Sequence, residues 1–90
     1  MNNIQSRAIA AFGIKCQKDK IIEELKELLF ELEKPDDEID IDKIIDETAD
    51  VYIVLKYIAF IWPISELSIL DRIQFKLARL KKYILKKESE

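Results

Sequence analysis

Apolar side chains recur at helical spacing along most of the chain, and this periodicity limits the fold more than any other sequence feature. The clearest example is a stripe at i, i+3, i+4 and i+7 spacing between Gln17 and Glu33, formed by Ile21, Ile22, Leu25, Leu28, Leu29 and Leu32. One Gly and two Pro in 90 residues are too few for the many turns of a β-sandwich or barrel. We therefore expect an all-α fold, built as one domain spanning residues 1–90.

Turn and cap residues divide the pattern into about four helices. Gly13 is expected to end the first helix, the acidic turn around Pro35 separates the second from the third, and Pro63 ends the third. The second and third helices should pack antiparallel across the Pro35 turn, and the last residues, 86–90, should fray. The expected helices are Ile4–Phe12, Gln17–Glu33, one capped by Asp40 or Asp42 and reaching about Trp62, and one capped by Ser65 or Ser68 with Leu67, Leu70, Ile73, Leu77, Leu80 and Ile84 on its inner face.

The run Val51–Trp62 is apolar on almost every side of the expected third helix. A helix of this kind is stable when other parts of the protein pack against all its sides, which a 90-residue monomer does not easily provide. We therefore expect a homodimer or homotetramer assembled through this helix. The alternative is a buried β-strand, since several residues of the run are β-branched.

Composition excludes several classes of function. The chain has no His and a single Cys, Cys16, so it cannot build a Ser-His or Cys-His pair, a typical zinc site or an internal disulfide. The absence of a glycine-rich phosphate loop excludes a P-loop nucleotide site. The most apolar run is too short to span a bilayer and contains Lys56, so we expect a cytoplasmic protein without membrane contact.

Charge is distributed unevenly around a net value of −3. Residues 19–50 carry fourteen acidic and four basic side chains, a net −10, whereas residues 71–90 carry seven basic and three acidic, a net +4. An acidic centre with a basic tail does not match a nucleic-acid-binding surface. It fits a metal site with a basic region for phosphates, or, alternatively, two faces that simply contact water.

Two pairs of acids stand out within the acidic centre. Glu24 and Glu27 are three residues apart on the second helix, and Glu47 and Asp50 are three apart on the third. If the two helices pack antiparallel, the four carboxylates meet, and like charges so close need cations between them. A site made only of carboxylates selects Mg²⁺ or Mn²⁺. The alternative is a solvated acidic face.

The spacing of these acids resembles a known family. Glu23-Glu24-x-x-Glu27, followed after 19 residues by Glu47-x-x-Asp50, is similar to the EExxE and ExxD motifs of the MazG-like nucleotide pyrophosphohydrolases, within the all-α NTP pyrophosphatase superfamily. The resemblance covers roughly residues 6–83, in the manner of short phage-type members. It extends to Ala11-Phe12-Gly13 with Gln17, to Glu47-Thr48-Ala49-Asp50-Val51, and to Phe75-Lys76-Leu77-Ala78-Arg79-Leu80.

The resemblance implies an all-α fold and Mg²⁺-dependent hydrolysis of a nucleoside triphosphate to its monophosphate and pyrophosphate. It implies Glu24, Glu27, Glu47 and Asp50 as metal ligands, and a supporting or water-orienting role for Glu23. Ala78 departs from the Asn that many members carry in the closing segment, a change that bears on substrate affinity more than on metal binding. The other classes considered are a Mg²⁺- and nucleotide-binding or regulatory module with weak turnover and a structural oligomerisation domain.

Further residues have two interpretations each. Gln17 can contact the base or sugar, or be a polar residue at a helix N-terminus. Lys76 and Arg79 can neutralise the phosphates, from the same or a neighbouring subunit, or be surface cations. Phe12 and Tyr57 can stack on a base, although a core position is favoured for both. Cys16 is expected to be a partly buried thiol without a role.

Overall fold

A computed structural model describes residues 3–90, and within them the chain is helical with no β-strand. The all-α prediction is confirmed, and the alternative of a strand in Val51–Trp62 is excluded. The elements are α1 (Asn3–Phe12), α2 (Ile14–Leu32), a 3-10 turn (Asp36–Glu38), α3 (Ile41–Leu55), α4 (Tyr57–Ile61) and α5 (Glu66–Glu88).

Gly13 separates α1 from α2, as predicted. Its backbone N–H donates to the carbonyl oxygen of Ile9 at 2.8 Å, which closes α1. Its φ of 90° is the only positive φ among residues 3–90, and that conformation is cheap only for glycine. Because a single residue makes the link, α2 begins at Ile14, three residues earlier than the expected Gln17.

Polar side chains cap the starts of α3 and α5. Asp40 Oδ1 accepts from the backbone N–H groups of Asp42 and Lys43, at 3.0 and 3.3 Å. Ser65 Oγ accepts from the backbone N–H of Ser68 at 3.1 Å. These bonds satisfy donors that the first helical turn leaves without a partner, and they confirm the first of the two caps expected at each site.

The third predicted helix, which was expected to be continuous, is interrupted. At Lys56 the backbone keeps helical angles, φ −64° and ψ −29°, but the regular hydrogen bonding lapses and α4 starts anew at Tyr57. Ile53 and Val54 precede the break, and β-branched residues have a lowered helix propensity. The combined segment ends at Ile61, close to the expected end at about Trp62.

A small core forms where α1, α2, α3 and α4 meet. Its buried members are Ile21 from α2, Val54 from α3 and Tyr57 from α4. Ile21 shares this core with Val54, and farther along α2 Glu27 lies close to Glu47, which is earlier in α3, so α2 and α3 run antiparallel. They form the most extensive helix–helix contact. The partly buried residues packed against this core are Ala8, Ile9, Ile58 and Ile61.

The core accounts for part of the apolar run Val51–Trp62. Val51 and Val54 are buried within a single chain, where Val54 packs with Ile21 of α2, and they are not available to a second subunit. Part of the run is therefore covered within one chain, and assembly of copies through this helix stays a prediction. The apolar residues of the run that stay exposed include Tyr52, Ile53 and Leu55 on α3.

α5 extends away from the rest of the chain. None of the residues Glu66–Glu88 is buried, so the apolar stripe expected on its inner face is present but is not covered by α1–α4. At the base of the helix, Lys56 Nζ lies 3.5 Å from Glu66 Oε1 in an exposed ion pair. The helix continues to Glu88, whereas fraying was expected from Lys86.

No single helix within residues 3–90 combines the length and apolarity of a membrane span. The segments Ile41–Ile61 and Glu66–Glu88 reach that length and composition only as a pair, which is bent by 119°.

Candidate metal centre

The four acids singled out by spacing come together between α2 and α3. Glu24, Glu27, Glu47 and Asp50 each offer one carboxylate oxygen, and these four oxygens all lie within 4.8 Å of one another. The convergence follows from two features of the sequence. The i, i+3 spacing puts each pair on one side of its helix, and the antiparallel packing brings the two sides together.

The cluster is partly withdrawn from water. Glu24 is only 5% exposed, Glu47 is half-buried and Glu27 is exposed. The site therefore has an inner wall on α2 and α3 and an open side at Glu27. A ligand can enter from solvent and still meet carboxylates whose hydration is reduced.

Two oxygens at the inner wall have no partner. Glu24 Oε2 and Glu47 Oε2 are buried and accept no hydrogen bond within the described part of the chain. A buried carboxylate oxygen without a partner is costly, because it loses water and gains nothing in exchange. Two such atoms in one cluster indicate a place for a cation or for ordered water that hydrogen-bonds both carboxylates.

Lys20 supplies the only cation that an ion pair brings to these four acids in residues 3–90. Its Nζ lies 2.8 Å from Glu24 Oε1 and 3.8 Å from Glu23 Oε2. The hydrogen bond to Glu24 is the main cause of the raised pKa of Lys20. Lys20 precedes Glu24 by four residues, the usual spacing for an ion pair on a helix, so the sequence carries a signal for this contact.

The pKa of Glu27 is affected by its position among the other acids. Its reduced hydration, followed by the negative charges of Glu24 and Glu47 and a hydrogen bond with Glu24, raises the pKa of Glu27 above its ordinary value. Neighbouring carboxylates make each further ionisation unfavourable, so protons and cations compete to relieve the repulsion. Lys20 offsets only part of the negative charge of the cluster, so a positive ligand would stabilise it further.

The donor set fits a hard divalent cation. Oxygen ligands from carboxylates alone, with room left for water, are what Mg²⁺ and Mn²⁺ prefer. The buried unpaired oxygens of Glu24 and Glu47 are candidate ligand atoms, with Glu27 and Asp50 completing the set. The geometry thus allows metal binding by all four predicted ligands, without selecting which cation binds.

Two clefts adjoin the acids. The larger, of about 890 Å³, is lined by Glu24 and Asp50, and the smaller, of about 280 Å³, is lined by Glu27 and Glu47. The acid cluster therefore lies between a large cleft near α1 and a small one toward the Pro35 turn. The remaining residues of the larger cleft are Ala8, Phe12, Lys15, Cys16, Gln17, Asp19, Lys20, Glu23, Ile53, Val54 and Tyr57.

Two further predicted site residues lie beside the cluster. Gln17 lines the larger cleft and is 5% exposed, so it is a buried polar group and not a surface residue chosen for helix polarity. Glu23 lines both clefts and keeps an exposed side chain near Lys20. Both positions allow contact with a ligand that reaches the four acids.

Within one chain, Lys76 and Arg79 lie away from this site. Both lie on exposed α5 and neither lines the two clefts at the acids. The guanidinium of Arg79 lies instead over the ring of Phe75, 6.0 Å from its centroid. The structure does not bring these two cations to the acids of their own chain.

The burial prediction is confirmed for Tyr57 and is wrong for Phe12 and Cys16. Tyr57 is buried in the core, as favoured, and its side chain also reaches the larger cleft. Phe12 is exposed, so the expected core position is wrong, and it lines the mouth of the same cleft. Cys16 is exposed and not partly buried. Phe12 is the last residue of α1 and Cys16 lies in the first turn of α2, on either side of Gly13.

Glu31 is buried although it lies outside the motif. Its Oε1 accepts a hydrogen bond from Lys34 Nζ at 2.9 Å, and it lines the smaller cleft. Burial distinguishes Glu31 from its exposed neighbour Glu33.

Comparison with protein-family models, with curated proteins and with solved structures gives no match for this chain.

Proposed function

We propose that this protein is a Mg²⁺-dependent nucleoside triphosphate pyrophosphohydrolase that forms a nucleoside monophosphate and pyrophosphate. The observation that carries the proposal is the convergence of four carboxylates within 4.8 Å, two of them with buried oxygens that lack partners. The similarity of the EExxE and ExxD motifs to those of the MazG-like family supports it independently of this geometry.

The four carboxylates have one task in this proposal. Glu24, Glu27, Glu47 and Asp50 hold the cation, and their fixed positions on two packed helices keep the ligands in place before substrate arrives. When bound, the divalent cation polarises phosphate oxygens and lowers the pKa of a bound water. The reaction breaks the bond between the α-phosphorus and the bridging oxygen, with water adding to phosphorus and pyrophosphate leaving.

Residues around the cluster position the other reactants. Glu23, which lines both clefts, accepts a hydrogen bond from the attacking water. Lys20 releases Glu24 when a cation binds, and its ammonium is then free to contact a phosphate oxygen.

The larger cleft offers space for the nucleoside. Its volume of about 890 Å³ is in the range of small-molecule sites, and its walls combine apolar surface with a few polar groups. Phe12 at the mouth offers a ring face for stacking, and Gln17 offers an amide that both donates and accepts. These groups would orient the base and sugar while the phosphates reach the acids.

One observation favours a second candidate function, a Mg²⁺- and nucleotide-binding module with weak turnover. Of the basic residues, only Lys15 and Lys20 line the larger cleft, since Lys76 and Arg79 lie on α5. Phosphoryl transfer depends on neutralising the charge that develops on the phosphates, so a site with few cations can bind more readily than it reacts.

The decisive experiment incubates the full-length chain with Mg²⁺ and a panel of canonical and modified ribo- and deoxyribonucleoside triphosphates. We expect equimolar amounts of nucleoside monophosphate and pyrophosphate, measured by ion-exchange chromatography. No product should form in the presence of EDTA. Diphosphate with inorganic phosphate would contradict the proposed bond cleavage.

Binding without products would select the second candidate. Isothermal titration with a non-hydrolysable triphosphate analogue, in the presence and absence of Mg²⁺, measures this directly. If neither Mg²⁺ nor any nucleotide binds, both candidate functions are wrong and the acids form a solvated face.

A further inference from the structure

An uncovered apolar stripe runs along the whole of α5. Its members recur at alternating spacings of three and four residues, which puts them on one side of the helix. They are between 44% and 58% exposed, although side chains in this pattern normally pack against another element. We call this set the α5 stripe: Leu70, Ile73, Leu77, Leu80 and Ile84.

A second uncovered apolar surface lies on the α2/α3 pair. On each helix, these apolar residues lie about 100° around the helix axis from the side that packs against the other helix. Because α-helices are right-handed and these two run antiparallel, this rotation brings the exposed apolar residues of both helices to the same side of the pair. We call it the α2/α3 face, formed by Ile22, Leu25, Leu29 and Leu32 with Ile41, Ile45, Tyr52 and Leu55, all between 43% and 71% exposed.

The α2/α3 face and the candidate metal centre lie on opposite sides of the helix pair. Glu27 and Asp50 are turned by about 80° from the packed sides of their helices in the other rotational sense. Cover over the apolar face would therefore leave the opening to the acids free. The two surfaces can be tested separately.

The exposed area matches what a subunit interface requires. The chain exposes 7583 Å², whereas a compact monomer of 10.6 kDa exposes about 5500 Å². Its radius of gyration is 17.0 Å, against about 12 Å for a compact domain of this length. The excess, about 2100 Å² per chain, gives a total of about 4200 Å² for two copies, within the range of obligate homodimers.

Charge selects among the ways in which two copies can meet. Residues 79–88 of α5 carry five basic and one acidic side chain, whereas residues 33–42, at one end of the α2/α3 pair, carry six acidic and one basic. Parallel pairing of α5 with α5, or of two α2/α3 faces, would place like charges together. Antiparallel pairing of α5 with α5 would set the basic end against residues 66–75, which carry only two acidic and one basic side chain. Pairing α5 with the α2/α3 face of the other copy would place opposite charges together.

Length is consistent with the same pairing. α5 has 23 residues and α2 has 19, which correspond to about 35 Å and about 28 Å of helix. The α5 stripe itself, from Leu70 to Ile84, spans about 21 Å, which is enough to follow the exposed apolar residues of α2 from Ile22 to Leu32, about 15 Å along the helix axis.

We propose that two copies of this chain exchange their α5 helices, each α5 stripe lying on the α2/α3 face of the other copy with its basic C-terminal end at residues 33–42. The exchange covers both apolar surfaces at once and leaves the acid cluster open. The partner is a second copy of this chain, not another protein or a lipid surface.

The first test measures mass by analytical ultracentrifugation at micromolar concentration. We expect at least twice the 10.6 kDa chain mass for the wild type. Leu77→Asp should shift the protein toward the mass of one chain, because it places a charge in the α5 stripe. Phe75→Asp is the matched control, since Phe75 is equally apolar, 65% exposed and on the opposite side of the same helix. A monomeric wild type would overturn the proposal, and so would equal dissociation by both variants.

The second test identifies which surfaces meet, and it uses cysteine substitutions so that no charge is introduced into an apolar surface. In a Cys16→Ser background, chains carrying Leu77→Cys are co-refolded with chains carrying Leu25→Cys, Leu29→Cys or Tyr52→Cys and then oxidised. We expect a disulfide between different chains in at least one mixture. Efficient cross-linking of Leu77→Cys alone would show α5 paired with α5, and cross-linking of a face variant alone would show two faces paired. Either result, or no cross-link in any mixture, contradicts the exchange.

A third measurement tests a lipid surface as the alternative cover. Wild-type protein is mixed with vesicles of phosphatidylcholine and phosphatidylserine and centrifuged through a density gradient. The exchange predicts that the protein stays out of the vesicle fraction. Co-flotation with vesicles would mean that the apolar surfaces contact lipid, and the proposal would be wrong.

Discussion

At the scale of single residues, Glu24 is the most informative side chain of the molecule. One of its oxygens is paired with Lys20 at 2.8 Å, and the other is buried without a partner. A residue selected only for stability would not keep such an atom, because leaving a buried acceptor unpaired costs about 1–3 kcal/mol. The arrangement is understandable if Glu24 is kept for a ligand, with Lys20 balancing its charge when no ligand is bound.

Neutral isosteres should separate the acids of the cluster from an acid beside it. Glu47→Gln and Asp50→Asn keep the shape of the side chain but remove a charge from the cluster, so we expect pyrophosphate release to fall at least about a hundredfold. Asp46→Asn is the matched control, because Asp46 is an exposed acid on the same helix outside the cluster. Initial rates at saturating Mg²⁺ measure both effects, and circular dichroism checks the fold. Equal losses for Asp46→Asn and Asp50→Asn would contradict specific ligation.

The raised pKa of Glu27 predicts how stability depends on pH and Mg²⁺. Because the folded-state pKa lies above the unfolded value, the contribution of Glu27 to stability is present below its unfolded pKa and is lost as the pH rises through the folded pKa. Without divalent cations, the repulsion is therefore greatest near neutral pH. We expect Mg²⁺ to raise Tm most at pH 7 and least near pH 5, where protons compete for the same oxygens.

The matched variant for this prediction is Glu27→Gln, which removes one of the repelling charges. Its Tm without Mg²⁺ should equal or exceed that of the wild type at pH 7, and Mg²⁺ should raise it less. Differential scanning fluorimetry at constant ionic strength measures both quantities. A wild-type Tm that is unchanged by millimolar Mg²⁺ at pH 7 would contradict cation binding at the acids.

At the scale of helices, short-range signals determine where elements begin and end. Gly13 ends α1 through a backbone conformation that other residues avoid, and Asp40 and Ser65 start α3 and α5 through side-chain caps. These devices act within a few residues, so the sequence is sufficient to locate them. The start of α3 also bears on the site, because Glu47 and Asp50 lie two to three turns after its cap.

Removal of the Asp40 cap should weaken α3. Asp40→Ala leaves the N–H groups of Asp42 and Lys43 without their acceptor, at an expected cost of about 0.5–2 kcal/mol in the free energy of unfolding. Asp37→Ala is the control, an exposed acid of the same turn that caps no helix. Urea unfolding followed by circular dichroism measures the difference. A cost for Asp37→Ala as large as that for Asp40→Ala would point to general charge effects and not to capping.

At the scale of the whole molecule, the chain has a very small interior. Its buried apolar residues are Ile21, Val51, Val54 and Tyr57, and no side chain among residues 4–90 is less than 2% exposed. Packing of so few residues provides little free energy against the conformational entropy of 90 residues. Stability of the whole chain should therefore depend strongly on each core position and on any second copy that covers α5.

A charge in this core should unfold the chain. Val54 is 3% exposed, so Val54→Asp buries an unpaired carboxylate, and we expect a loss of about 3 kcal/mol or more in the free energy of unfolding. Ala49→Asp introduces the same side chain at an exposed position of the same helix and should cost about 1 kcal/mol or less. Far-UV circular dichroism at 25 °C and urea titration distinguish the two. A folded Val54→Asp protein as stable as Ala49→Asp would mean that Val54 is not a core residue.

The sequence by itself determined the helical class, most helix boundaries and the composition of the acid cluster. These features depend on contacts within a turn or two of helix: the 3.6-residue period, the caps, the glycine link and the i, i+3 pairs. The convergence of Glu24 and Glu27 with Glu47 and Asp50 needed only one further step, the antiparallel packing of two helices joined by a short turn.

Only the tertiary structure decided which apolar and polar side chains are covered. The side of α3 that carries Val54 was expected to face either a core or a subunit interface, and Val54 is in the core; the stripe on α5 was expected inside and is exposed. Glu31 and Gln17, both polar, are buried. Periodicity shows that a stripe needs cover but does not show what covers it. Which neighbour covers each stripe depends on contacts between distant segments, where the geometry of all the helices enters at once.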